Sequence, residues 1–290
     1  MLKIDNLNKS YGKKVALKNL SLEVNDGEIF GFIGPNGAGK TTTIKCILSL
    51  INKDSGDIYI NNTLVDKDYY KLNEDIGYLP SEVNLYDNMS VSEIIEYSKS
   101  FYKKDISERT EYLIRQFELD TSKKVRELSF GNLKKLGIVI ALMHSPKFLI
   151  LDEPTSGLDP LMQEIFFNTL KDEKERGTTI FFSSHNLSEV KRICDRVGII
   201  KDGSIVAIEE MATLANNNFV TVTITGKNSK RIKLPVKDMY IKKVDKNSIK
   251  FMYYGNINEL IRVISEVEID GLSIEEPTLE DIFMHYYKGE

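Results

Sequence analysis

The sequence predicts an α/β protein: a mostly parallel sheet covered by helices, with an antiparallel β edge, a helical insertion and a small C-terminal α+β domain. Three observations lead there. From Pro146 onward, short apolar runs alternate with amphipathic helical runs. The stretch from about 81 to 143 reads mostly helical, and after the polar, turn-prone Asn216-Asn217-Asn218 the pattern changes to two-residue alternation. With 290 residues, 41% of them hydrophobic, the chain can bury a full core and has room for a large domain, 1–214, and a small one, 215–290.

Taken in order, Ser21-Leu22-Glu23-Val24 and Glu28-Ile29-Phe30-Gly31-Phe32-Ile33 are strand-like runs separated by Asn, Asp and Gly turns. The next helix carries Ile44, Ile47, Leu48 and Ile51 on one face, and Asp54-Ser55-Gly56-Asp57 turns the chain. Ser92 to Tyr97 opens an amphipathic segment capped by Ser90 or Ser92, and Glu108 to Glu118 is another. Lys147 to Leu151 then reads as a strand, Leu161 to Arg176 as a helix ended by Gly177, and Thr178 to Ser184 as a strand. A helix from Leu187 to Cys194 leads to strand Val197 to Ile200 and a hairpin turn at Asp202-Gly203. In the small domain, Phe219 to Thr225 and Ser248 to Tyr253 alternate like half-exposed antiparallel strands, and Asn258 to Val267 and Leu279 to Tyr287 read as helices.

Composition narrows the functional classes. A formal net charge of -4, with no convincing basic patch, argues against a nucleic-acid partner. Cys46 and Cys194 show neither pairing nor metal-ligand spacing, so a reduced, cytosolic protein is expected. No signal peptide and no apolar run long enough to span a bilayer is visible, so work at a membrane would be done through another subunit. The chain has no internal repeat, so a site that it carries occurs once.

That site is announced by Gly34-Pro35-Asn36-Gly37-Ala38-Gly39-Lys40-Thr41, which follows an apolar strand and opens a helix. Glycines let backbone N–H groups approach phosphates, and the helix N-terminus adds partial positive charge. Lys40 is expected to neutralise the β- and γ-phosphates, and the Thr41 hydroxyl to coordinate Mg²⁺. Phe148 to Leu151 is a continuous apolar run, as a strand buried on both faces requires, and it ends in Asp152 and Glu153. Asp152 suits a Mg²⁺ ligand acting through water, and Glu153 a general base. Taken alone, two carboxylates could merely end a strand in solvent, and a lone His185 after Ser183-Ser184 is usually structural.

Leu128-Ser129-Phe130-Gly131-Asn132 changes that weighting. It resembles the signature sequence of ABC-type ATPases, and Pro154-Thr155-Ser156-Gly157-Leu158-Asp159-Pro160 resembles their D-loop. The resemblance covers about Met1 to Ile208 and implies a P-loop NTPase fold that hydrolyses ATP. It implies that Tyr11 stacks on the base, although Tyr11 also reads as ordinary core. It further implies that Asn36, Gly37, Gly39, Lys40, Thr41 and Thr42 hold the phosphates, and that His185 contacts the γ-phosphate. Ser129 and Gly131 would grip the ATP of a second copy. Two departures lie within the pentapeptide: Phe130 replaces the first glycine and Asn132 the glutamine. A Phe130 directed away from the phosphate would be tolerated, and the helix is expected to start near Asn132. A third departure is the loop Ile76 to Glu82, where Ser81 stands in place of the family's Mg²⁺-contacting glutamine; Glu82 ranks slightly ahead of Ser81 as its substitute.

The tail Glu276-Pro277-Thr278-Leu279-Glu280-Asp281-Ile282-Phe283 resembles that of ATPases from bacterial ABC-2-type exporters, with antibiotic or amphipathic peptide export preferred over lipid. That implies a separate transmembrane permease subunit, a dimer of this chain with itself or with a similar chain, and a place on the cytoplasmic face of the membrane. Leu85, Tyr86 and Met89 are candidates for the permease-facing groove, with packing inside the helical insertion as the alternative. An importer ATPase and a soluble, non-transport ABC ATPase are the competing readings.

Overall fold

The computed structural model describes residues 2–65, 74–212, 220–226, 239–253, 255–266 and 268–275. Asn216 to Asn218, the tail Glu276 to Phe283 and the helix expected from Leu279 to Tyr287 lie outside the described residues. The chain divides into two units, Met1–Ile208 and Glu209–Glu290. In chain order it begins with β1 (Leu2–Tyr11), β2 (Lys14–Val24), β3 (Ile29–Ile33), α1 (Lys40–Ile47), β4 (Ser55–Ile60), β5 (Thr63–Leu64) and β6 (Ile76–Leu79). Helices α2 (Val91–Lys99), α3 (Ser107–Gln116) and α4 (Phe130–Leu142) follow. Then come β7 (Phe148–Asp152), α5 (Pro160–Glu175), β8 (Thr179–Ser184), α6 (Leu187–Ile193), β9 (Arg196–Lys201) and β10 (Ser204–Glu210).

Every residue of β3, β7 and β8 is buried, so these strands need cover on both faces, as parallel sheets do. They form the centre of a six-stranded sheet with order β10-β9-β3-β8-β7-β6, in which the pairs β3–β8, β3–β9, β7–β8 and β6–β7 are parallel. β10 is the hairpin partner of β9: Asp202 and Gly203 both take positive φ, 46° and 79°, as a tight two-residue turn requires. The antiparallel edge is a separate sheet, β2-β1-β4-β5. Leu2, Ile4, Leu22 and Ile58 from it share one apolar core with Phe30, Phe181, Ile44 and Ile47.

Helix ends follow local chemistry. Ser90, not Ser92, caps α2 in a reciprocal box with Glu93. Asp159 caps α5, with Pro160 at its first position. Helix α1 stops at Ile47, earlier than the apolar face predicts, because Ser49 turns to φ 53°; Ile51 still packs on the core from outside the helix. The helical insertion is tied to α5 by Arg109 with the buried Glu173, and by Gln116 Nε2 donating to Thr169 Oγ1 at 3.0 Å. Among the described residues, no helix is long and apolar enough to cross a membrane, and both cysteines are free and buried.

The second unit contains β11 (Val220–Thr225), β12 (Met239–Val244), β13 (Ser248–Tyr253), α7 (Ile257–Ser265) and β14 (Gly271–Glu275). Its strands form an antiparallel sheet of order β12-β13-β11-β14. Leu260 and Ile264 of α7 pack with Val222, Ile224 and Phe251. The small α+β unit predicted from the alternation is thus present in the described residues.

Candidate nucleotide-binding site

Register brings the motifs together. Ile33 pairs with Ser184, Ser183 with Asp152, and Leu151 with Leu79. Four parallel strands therefore end level, and the residues that follow them, Gly34, His185, Glu153 and Pro80, emerge at one sheet edge. Ligands of open α/β sheets bind at this carboxyl edge. A cavity of about 530 Å³ opens there, lined on one side by Asn36, Gly37, Gly39, Lys40, Thr41 and Thr42. Tyr11, Ser81, Glu82, Phe130, Glu153, Ser156 and His185 also line it, with Lys14 and Ala16.

The P-loop needs its glycines for two different reasons. At Gly34 a Cβ would stand 2.5 Å from the Ile200 carbonyl oxygen, so only glycine permits the close approach to β9. Gly39 takes φ 114° as the N-cap of α1, a conformation L side chains rarely adopt. Lys40 follows, its buried ammonium donating to the Gly34 carbonyl at 2.7 Å and lying 3.3 Å from Glu153 Oε1.

Asp152 is fully buried at the end of β7. Its two oxygens accept from Thr41 Oγ1 at 2.9 Å and from Ser183 Oγ at 2.7 Å. The structure thereby unites two of the three predicted metal-ligating residues; Glu82 lines the same cavity. Hydroxyl and carboxylate are hard oxygen donors. Glu153 occupies the left-handed region at φ 48°, uncommon for a residue with a side chain. Its amide donates to the Ser183 carbonyl at 3.2 Å. Its carboxylate is held between Lys40 and His185, with Oε2 2.6 Å from His185 Nδ1. Beside it, Ser184 and Thr155 both donate to Glu189, at 2.7 and 2.8 Å, which ties the end of β8 to the segment after β7. Tyr11 is 50% exposed at the cavity rim, which excludes the core reading.

The signature segment is split: Phe130 lines the cavity. Ser129 and Gly131 do not line this cavity, and α4 begins at Phe130, not near Asn132, because Ser129 is its N-cap and accepts from the Asn132 amide at 3.3 Å. As an N-cap acceptor the Ser129 hydroxyl keeps its own proton free to donate outward. Phe130 is half exposed, and its ring lies against Gly157, where a Cβ would meet it at 2.2 Å.

Lys134 of α4 escaped the motif reading. It is 1% exposed and donates to the Pro80 and Ser81 carbonyls at 3.1 and 2.8 Å. Burial pushes its pKa down to about 8, against the pull of the Asp152 and Glu153 carboxylates. Its signal in the sequence was a lysine on the buried stripe that continues through Gly137, Ile138 and Ala141. Ser183, which holds Asp152, and Glu189, which accepts from Ser184 and Thr155, carried no signal.

A second feature lies on the helical insertion. Tyr86 is 63% exposed, and the rings of Tyr86, Tyr97 and Phe101 meet edge-on at 6.1 and 5.1 Å. Beside them is a cavity of about 410 Å³ lined by Asn84, Leu85, Tyr86, Ile94, Tyr97 and Ser98.

This geometry has counterparts. The ABC transporter family profile matches residues 17–156, and an AAA domain profile matches residues 124–191. The linearmycin resistance ATP-binding protein LnrL of Bacillus subtilis is 32% identical across 98% of this chain and 97% of its own length. The chain belongs to the ATP-binding proteins of ABC transporters. The bacitracin transport ATP-binding protein BcrA of Bacillus licheniformis is 33% identical, across 100% of this chain and 98% of its own. Among solved structures, the dimeric ATP-binding cassette MJ0796, in a post-hydrolysis state bound to ADP and Pi, superposes with a TM-score of 0.67. It is 28% identical and is matched over 73% of this chain and 99% of its own. Like other ABC ATP-binding subunits, this one is an ATPase, and the α/β fold is that of the P-loop NTPases.

Proposed function

We propose that this ABC ATPase powers export of an antibiotic or amphipathic peptide through a separate membrane subunit, as a dimer on the cytoplasmic face of the membrane. The observation that carries the mechanism is the placement of Glu153 between Lys40 and His185, while Ser129 and Gly131 stand outside the cavity. One chain supplies the P-loop half of a site and a second supplies the signature half. Each γ-phosphate is held by Lys40 and His185 of one copy and by Ser129 and Gly131 of the other. Tyr11 stacks on the base, and Asn36, Gly37, Gly39 and Thr42 cradle the phosphates.

Thr41 and Asp152 fit Mg²⁺, and Glu82, on the cavity wall, is the loop's candidate ligand. When bound, Mg²⁺ neutralises phosphate charge. Glu153 accepts a proton from the water that attacks the γ-phosphorus as the bond to ADP breaks. His185, hydrogen-bonded to Glu153, orients that carboxylate. Loss of the γ-phosphate removes the contacts that hold two copies together, and the dimer opens.

Export is favoured by the LnrL and BcrA names, carried by relatives that match both of this chain's units from end to end. The groove beside Tyr86 and Tyr97 is the surface offered to a helix of the membrane subunit. Glu153→Gln keeps the shape of the site and removes the base. It should therefore cut turnover by at least ~10²-fold and give a dimer on size-exclusion chromatography with ATP but not ADP. A variant that binds ATP and stays monomeric would count against the shared site.

A further inference from the structure

We propose that Lys134 is a positioning residue for ATP hydrolysis: it clamps the loop carrying Ser81 and Glu82 onto the signature helix, doing from the helix side what a loop glutamine would do from the loop side. The inference rests on the nucleotide cavity assigned above. Three observations converge on it. The ammonium lies inside the protein and donates to two successive carbonyls, those of Pro80 and Ser81, whose loop lines the cavity. One turn further along the same helix face, Gly137 lets α4 press against both flanks of that loop. A Cβ there would stand 2.7 Å from Val83 and 2.8 Å from Leu79. Finally, α4 is capped by Ser129, the residue proposed to hold the partner's γ-phosphate.

A buried charge is retained only when its bonds compensate its desolvation, and carbonyl dipoles with two nearby carboxylates do that here. The consequence is mechanical. A shift of Ser81 and Glu82 with the state of the γ-phosphate must move Lys134, and with it the helix that presents Ser129. Lys134 touches no reacting atom in this scheme.

The test uses the full-length chain with Lys40→Ala as the control for the cavity. Lys134→Met keeps most of the volume and removes the donor. It should lower kcat for ATP about tenfold while KM changes less than about twofold, and Lys134→Arg should recover most of the loss. In a Ser81→Ala, Glu82→Ala background the same Lys134→Met change should cost less than about twofold, because its effect passes through those residues. Lys134→Leu, which also lacks a donor, takes the place of the methionine variant if that chain does not fold, under the same criteria. An unchanged kcat, or a loss equally large in both backgrounds, would overturn the proposal. Turnover surviving in Lys40→Ala would overturn the cavity assignment instead.

Discussion

Glu153 shows how much a single residue depends on its neighbours. Its left-handed backbone is kept by the amide bond to the end of β8, and its carboxylate is aimed by a cation on one side and an imidazole on the other. Strain of this kind persists only where surrounding structure over-determines it. Lys40 is the most exposed to test, since it serves both the phosphate and Glu153. Lys40→Ala should reduce ATP turnover by at least ~10²-fold, the scale of losing a preorganised charge at a developing anion. Phosphate release measures it, and unchanged turnover would refute the P-loop assignment. The same residue-level reading explains why Phe130 is accepted in the signature. Its ring has a seat against Gly157, and the glycine that must stay small, Gly131, faces the Gly157 carbonyl, 2.6 Å from any added Cβ.

At the scale of elements, the helical insertion is joined to the sheet by polar contacts in buried places. His144, just beyond α4, stacks on Tyr102 at 4.4 Å, and its Nε2 lies 3.2 Å from the Ile76 carbonyl at the start of β6. The insertion and the sheet edge that carries the nucleotide loop thus share one buried ring. Burial lowers the pKa of His144 from 6.5 to about 4. Between those values the unfolded chain binds a proton that the folded chain refuses, so stability falls as pH drops through the window. The loss across the window is on the order of 3 kcal/mol at 1.36 kcal/mol per unit. Urea midpoints measured from pH 7 to 4 should fall more steeply for the natural chain than for His144→Gln. Parallel curves would show that His144 is not the group responsible.

For the whole molecule, the proposed dimer places the P-loop half of each site on one chain and the signature half on the other. A chain with Lys40→Ala keeps a sound signature, and one with Ser129→Arg keeps a sound P-loop. Mixed in equal amounts, two inactive proteins should recover about a quarter of natural ATPase activity. Half of the randomly formed dimers are mixed, and each mixed dimer has one intact site. Recovery is read directly as phosphate release on mixing. No recovery, with dimers shown to form, would mean that each chain completes its own site.

Local sequence determined the type of most described elements, because continuous apolar runs, helical periodicity, capping residues and glycine turns act over a few residues; β1, β4 to β6, β12 and β14 were not singled out. It also named residues that the fold brings together: Lys40, Thr41, Glu153 and His185 line one cavity, and Asp152 accepts from Thr41 beside it. Strand order was decided only by tertiary structure. β8 lies between β3 and β7, so Ser183 holds Asp152 and His185 reaches Glu153. A strand buried on both faces reads as the same apolar run whichever neighbour it takes, and parallel partners are joined by long crossovers that carry no local register signal. The same reason hid Lys134. What an ammonium binds inside a protein depends on which loop the fold lays against its helix, and here that loop arrives from β6, far away in the chain but adjacent at the sheet's edge.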